Sequence, residues 1–151
     1  MKLSDASAER AVLSGIFNYG EDAYYDVADL LQESSFTIDS NIVLYKCFKH
    51  IFEKNPNTKL DIATIFSAAE ELHLSSTVTK KEEVQHLQAI TNFPVELDNV
   101  RKFAAKVRKL EIARLLEEQL DKARSKVSEV KGTEPVGSIV GIAEDVIFNF
   151  S

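Results

Sequence analysis

The sequence predicts an all-α protein: a compact globule of about five to six helices followed by a long antiparallel helical hairpin. Three observations lead there. Gly (5) and Pro (3) are scarce among 151 residues, and sheets need many tight turns, so few and long elements are favoured. Apolar residues recur at i, i+3 and i+4 along most of the chain. A helix-patterned stretch then runs unbroken over residues 98–131, until Gly132-Thr133-Glu134-Pro135 interrupts it ahead of a second apolar-striped helix, 136–150.

Apolar residues make up 44% and charged residues 28%, the composition of a folded domain with a core rather than of a disordered segment. Cys47 is the single cysteine. It sits in an apolar helical pattern between Lys46 and Phe48, which predicts a buried free thiol in a reducing interior. The start, Met1-Lys2-Leu3-Ser4-Asp5, leads directly into an amphipathic helix and does not read as a signal peptide, and no apolar run approaches a membrane span. A cytoplasmic protein is expected, or one made in a host cytoplasm.

Each helix has local signals. Asp5 is placed to cap a first helix to about Asn18, with Ala8, Val12, Leu13, Ile16 and Phe17 on one face, closed by Tyr19-Gly20. A second, 22–32, is expected to bury Tyr25, Val27, Ala28 and Leu31. Asp39-Ser40 begins a third with Ile42, Tyr45, Phe48, Ile51 and Phe52 inward, stopped at Asn55-Pro56. Asp61 caps a fourth, 62–73, burying Ile65, Phe66, Ala69 and Leu72. Thr79-Lys80-Lys81-Glu82 reads as a capping box opening a fifth that carries Val84, Leu87 and Ile90. Phe93-Pro94 ends it, and Asp98 is placed to cap the long helix. Phe36-Thr37-Ile38 is too short for a strand.

The long helix carries two registers. Val100, Phe103, Val107 and Leu110 suit packing on the globule. Ala113, Leu116, Leu120, Ala123, Val127 and Val130 follow at coiled-coil spacing. Between the stripes, Leu110 to Ala113 is a step of 3 where 4 would keep phase, which divides a globule, 1–110, from a hairpin, 111–151. The last helix offers Val136, Ile139, Val140, Ala143, Val146, Ile147 and Phe150 as the facing seam, with Ile142 and Phe148 off it. Such a hairpin has more apolar surface than one chain can bury, so these seam residues are the expected oligomer interface.

Charge is uneven. Residues 98–131 hold 10 of the 18 Lys and Arg but 6 of the 24 Asp and Glu, a local +4 against −10 for the remainder. Arg101, Lys102, Lys106, Arg108 and Lys109 cluster in about two turns. They are candidate contacts for nucleic acid or an acidic partner, against a solvated face paired with Glu111, Glu117, Glu118 and Asp121. No phosphate-binding loop, dinucleotide fingerprint or nucleophile elbow occurs. His50, His73 and His86 share no metal-ligand spacing with each other or with Cys47. No catalytic residue, cofactor site or metal site is expected in this segment.

The order of features resembles the N-terminal domain of the DnaB-type replicative helicases of bacteria and their phages. Ala8-Glu9-Arg10-Ala11-Val12-Leu13-Ser14-Gly15-Ile16 looks like that family's first-helix signature. Val27-Ala28-Asp29 with Ser35-Phe36, then Phe48-Lys49-His50-Ile51-Phe52, then Leu60-Asp61-Ile62-Ala63-Thr64-Ile65 resemble its next segments in order. Phe93-Pro94, Asn99-Val100, Phe103-Ala104, Val107-Arg108 and Arg114-Leu115-Leu116 resemble the last. The family's proline before the Asp61 position is absent, Lys81-Glu82 replaces a Gly-Gly, and Phe103 replaces a tyrosine, as in a divergent, phage-encoded member. The resemblance implies dimers formed through hairpins, three of which build a hexameric collar. It also implies docking of primase and a helicase loader, and DNA contact only indirectly through the ring. ATP and Mg would belong to a RecA-like domain expected after residue 151. The alternative is a stand-alone all-helical adaptor, phage or bacterial, that binds a host protein.

Overall fold

The computed structural model describes residues 3–149. Among them the chain forms α1 (Ala6–Tyr19), α2 (Glu21–Val27), a 3-10 turn (Glu33–Ser35), α3 (Asp39–Lys54), α4 (Ile62–Glu71), α5 (Ser75–Val78), α6 (Lys81–Thr91), α7 (Leu97–Ser128) and α8 (Val136–Phe148), with no strand. The first six helices and the first half of α7 enclose one core. The rest of α7 and all of α8 form the hairpin. Phe150, expected in the hairpin seam, lies outside the described residues.

Helix α1 is the centre of the globule and touches α2, α3, α6 and α7. Asp5 accepts the Ala8 amide at 3.0 Å, satisfying an orphan donor of the first turn as anticipated. Every residue from Ala11 to Ile16 is buried. The α1–α7 contact is close enough to require glycine: a Cβ on Gly15 would stand 2.4 Å from Val100 Cγ2. The far end of α1 fixes the entry to α7. Ser14 Oγ donates to the Phe93 carbonyl, Asn18 Nδ2 to Thr91 (3.2 Å) and Tyr19 Oη to Val95 (2.8 Å). These carbonyls belong to the end of α6 and the segment beyond it.

Three local expectations differ. Helix α2 ends at Val27, so Tyr24 and Ala23 are buried while Tyr25 and Ala28 are exposed. Arg101 from α7 donates to the Asp26 carbonyl and holds Asp29 at 3.0 Å, capping the helix before it can continue. Tyr24 instead stacks on Phe52, centroids 4.9 Å apart, where burial pushes its phenol up to about 12. At 79–82 there is no capping box: α6 starts after Lys80 without a side-chain cap, and the Thr79 hydroxyl donates back to the Ser75 carbonyl of a short helix, α5, that the periodicity did not reveal. Asp98 lies in the first turn of α7 rather than capping it, and the N-cap is Glu96 without a side-chain hydrogen bond. Cys47 is fully buried, and desolvation raises its thiol to about 11, too high for a thiolate near neutrality.

Gly15→Ala is expected to lower unfolding free energy by about 1–3 kcal/mol, the usual penalty for overfilling a packed contact. Adding Val100→Ala should return part of it. Urea denaturation of the three variants checks this, and equal midpoints for wild type and Gly15→Ala would remove the close contact from the account.

Candidate functional site

Two buried carboxylates set where the hairpin leaves the globule. Glu9, 1% exposed, accepts the Thr37 amide (3.1 and 3.2 Å) and hydroxyl (2.6 Å) and Asn41 Nδ2 (3.0 Å). Its bonds pin residues 36–38 to α1. Glu111, 2% exposed, accepts the hydroxyls of Ser34 (2.8 Å) and Ser35 (2.7 Å), the Gln32 amide (3.2 Å) and Arg108 (2.6 Å). Burial pushes its carboxyl up, but these four donors outweigh burial and hold it below the usual carboxylate range. One turn on, Arg114 donates to the carbonyls of Leu3 (2.7 Å) and Ser35 (3.1 Å). The 3-10 turn is thus clasped by two successive turns of α7.

Glu111 was expected on a solvated face. It does pair with Arg108 at i, i+3, but from inside the protein. The signal was present: Val100, Ala104, Val107 and Glu111 follow one another at steps of 4, 3 and 4, and all four are buried. A glutamate on a core stripe opposite Ser34-Ser35 is a satisfied buried anion.

The basic cluster is largely engaged within the chain. Arg101 holds Asp29, Lys106 holds Asp5 at 2.6 Å, and Arg108 holds Glu111. Arg101, Lys102, Lys106 and Lys109 are all exposed, but Arg101 and Lys106 are paired with carboxylates at the surface. Five cations close in sequence therefore do not form one open phosphate-binding stripe. Among the described residues, no group of His, Cys, Asp and Glu could hold a metal ion, and no helix is long and apolar enough to cross a membrane.

Beyond Arg114 the hairpin stands alone. Its tip is tied by Glu134, whose carboxylate accepts the amides of Lys131, Gly132 and Thr133 at 2.8–3.1 Å. Gly132, at φ 93, has the left-handed backbone this turn needs. The arms meet through Asn149 to Gln119 (2.8 Å) and Lys126 to Asp145 (3.9 Å). Ala123, Val130, Ile142 and Val146 are half-buried, and Ala123, Ile142 and Val146 line a groove between the arms. Ile142, placed off the seam by its spacing, faces α7, while Ala143 is exposed.

The other seam residues point away from the opposite arm. Leu120 is 52% exposed, Val127 54%, Val136 76% and Ile147 73%; Leu116, Ile139 and Val140 are exposed too. No residue of α8 is buried. At about 100° per residue, the exposed stripe on each arm lies roughly a quarter to a third of a turn from the line joining the arms. Because the arms are antiparallel, both rotations turn to the same side. The two stripes form one apolar face, larger than single exposed side chains require.

With this geometry established, the relatives are informative. The family model for the DnaB-like helicase N terminal domain matches residues 1–109, which is the globule and the buried half of α7. The chain belongs to that family. The crystal structure of the N-terminal domain of DnaB helicase from Mycobacterium tuberculosis has the same fold, with a TM-score of 0.79 at 18% identity over 99% of each chain, hairpin included. No curated protein matches.

Glu111→Gln is expected to cost about 2–3 kcal/mol, because Arg108 and two hydroxyls lose an anionic acceptor. The depressed carboxyl adds stability fully present above its unfolded value, about 4.3. That stability is lost as pH falls through the lower folded value. Urea midpoints between pH 7 and pH 3 should therefore converge for wild type and Glu111→Gln at the acid end; a constant gap would contradict the assignment.

Proposed function

We propose that this chain is the collar domain of a replicative DNA helicase, joining copies of the parent protein through the α7–α8 hairpin and presenting docking surface for primase or a helicase loader. The observation that carries this reading is the single apolar face of the hairpin. Among the described residues its stripe residues have no partner large enough, and a face of this kind is stable in water when a second protein surface covers it. The occupant is a second copy: family membership supports a ring-forming parent, and a self-complementary stripe suits an isologous contact. Dimers are the unit, and three of them are a natural route to a hexameric ring. ATP binding and unwinding belong to a separate RecA-like domain of the parent, and DNA is met indirectly, through the ring. The hairpin tip, around 128–135, is the accessible place for a primase or loader to read.

A stable interface of this kind should bury on the order of 1,000 Å² or more in total. Sedimentation equilibrium at micromolar concentration is expected to show a dimer or larger species. Leu120→Asp with Val127→Asp should shift it to monomer while leaving helix content unchanged, since both side chains are exposed. A wild-type chain that stays monomeric across that range would sink the reading.

A further inference from the structure

We propose that Arg10, set over the Phe93 ring on the α1–α6 side of the globule, receives an acidic side chain of a partner protein. This site lies on the globule and is independent of how the hairpin is covered.

The other arginines are provided for. Arg101 and Arg108 hold carboxylates, Arg114 donates to two carbonyls, and Arg124 lies exposed on the hairpin. Arg10 is half-buried, yet among the described residues it makes no hydrogen bond and no ion pair, and its Nε is enclosed without an acceptor. Leaving a guanidinium N–H dry and unbonded costs free energy. The chain holds the group there all the same. Arg10 Cζ lies 5.6 Å from the centre of the Phe93 ring. One turn along α1, the Ser14 hydroxyl donates to the Phe93 carbonyl and fixes the residue that carries the ring. An aromatic face attracts the charge but offers its N–H groups no oxygen. Only Nε is enclosed, so the η nitrogens stay open beside an apolar platform.

The carboxylates on neighbouring elements are committed elsewhere. Glu9 holds Thr37 and Asn41, and Asp5 holds the Ala8 amide and Lys106. Glu83 acts on His86 but forms no ion pair with Arg10 among the described residues. His86 also feels Arg10. Burial holds its imidazole below the ordinary value, Glu83 works to raise it, and the Arg10 charge lowers it further. The ring is fixed by Asn41, whose amide nitrogen donates to Glu9 at 3.0 Å, so that its oxygen accepts from His86 Nε2 at 2.7 Å. A fixed imidazole thus stands within the field of an unneutralised cation and registers the arrival of an anion.

The surroundings select which anion. A nucleic-acid backbone is held by several cations in a row. Here one guanidinium stands with Glu83 in the same neighbourhood, on a chain that carries −10 outside residues 98–131. A single carboxylate suits this better, gripped by the η fork while an adjoining apolar side chain rests on Phe93. An Asp or Glu of a partner protein, next to an apolar residue, has that form.

The probes are the blocked dipeptide acetyl-Leu-Asp-amide, its neutral counterpart acetyl-Leu-Asn-amide and inorganic phosphate, each added to the whole chain at constant ionic strength. NMR follows the enclosed Arg10 Nε–H and the His86 ring. The Asp probe is expected to bind with a Kd of about 1 mM and to shift both signals. It should also raise the His86 titration midpoint, because an anion on Arg10 cancels the charge that opposes protonation. The Asn probe should bind about tenfold more weakly, since it lacks the charge. Arg10→Gln, with unchanged helix content, should weaken the Asp probe about tenfold, and Arg10→Lys, which keeps the charge but not the fork, about threefold. Should Arg10→Gln fail to fold, the two dipeptides compared on wild type still decide. Equal binding of both dipeptides, an unmoved His86 midpoint or undiminished binding by folded Arg10→Gln overturns the proposal. Phosphate binding more tightly than the Asp probe overturns the carboxylate assignment. Self-association by sedimentation is read separately, so failure here leaves the collar reading standing.

Discussion

The length of α7 governs the rest of the molecule. Its 32 residues span about 48 Å at 1.5 Å each, more than the width of a globule of about 110 residues, whose radius of gyration is near 13 Å. The helix cannot be enclosed. Its first half is held in the core by α1, where Gly15 lets the two backbones come close over Val100. Its second half must stand in solvent or find another surface. Continuity of one helix thus transmits the position of the globule rigidly to the hairpin.

That rigidity depends on polar groups as much as on apolar packing. Glu9 and Glu111 are buried carboxyl groups supplied with donors, and both fasten the segment between α2 and α3 to the long helices. Arg114 closes the same segment from one turn further out. A helix that exits a domain through apolar contacts alone could rock about them. Directional hydrogen bonds to a buried carboxylate leave far fewer orientations at low energy. The hairpin is therefore presented at a defined angle to the globule.

The arm carries the chain's positive charge, yet its cations largely serve the fold. Arg101 ends α2, Lys106 holds the N-cap of α1, and Arg108 neutralises Glu111. What the arm offers outward along the hairpin is apolar, on a single side and bordered by Glu117 and Arg124. A surface of that composition recognises a protein of matching shape better than it recognises a phosphate backbone. The family match covers the globule, whereas the apolar face lies almost wholly beyond it, within the region shared with the mycobacterial domain at the level of fold.

Periodicity, caps and breakers determined the helical class, the order of the helices and the turn at 132–135, because these depend on neighbours within a few residues along the chain. The apolar faces of α1 and α3 and the Asp5 and Asp61 caps were legible for the same reason. Tertiary contact shaped the end of α2 at Val27, where Arg101, 75 residues away from Asp26, takes the Asp26 carbonyl. It also decided that Glu111 turns inward and that Ile142 rather than Ala143 lies between the arms. Each of these depends on groups remote in sequence meeting in space, where burial and hydrogen bonding override the local preference for solvent.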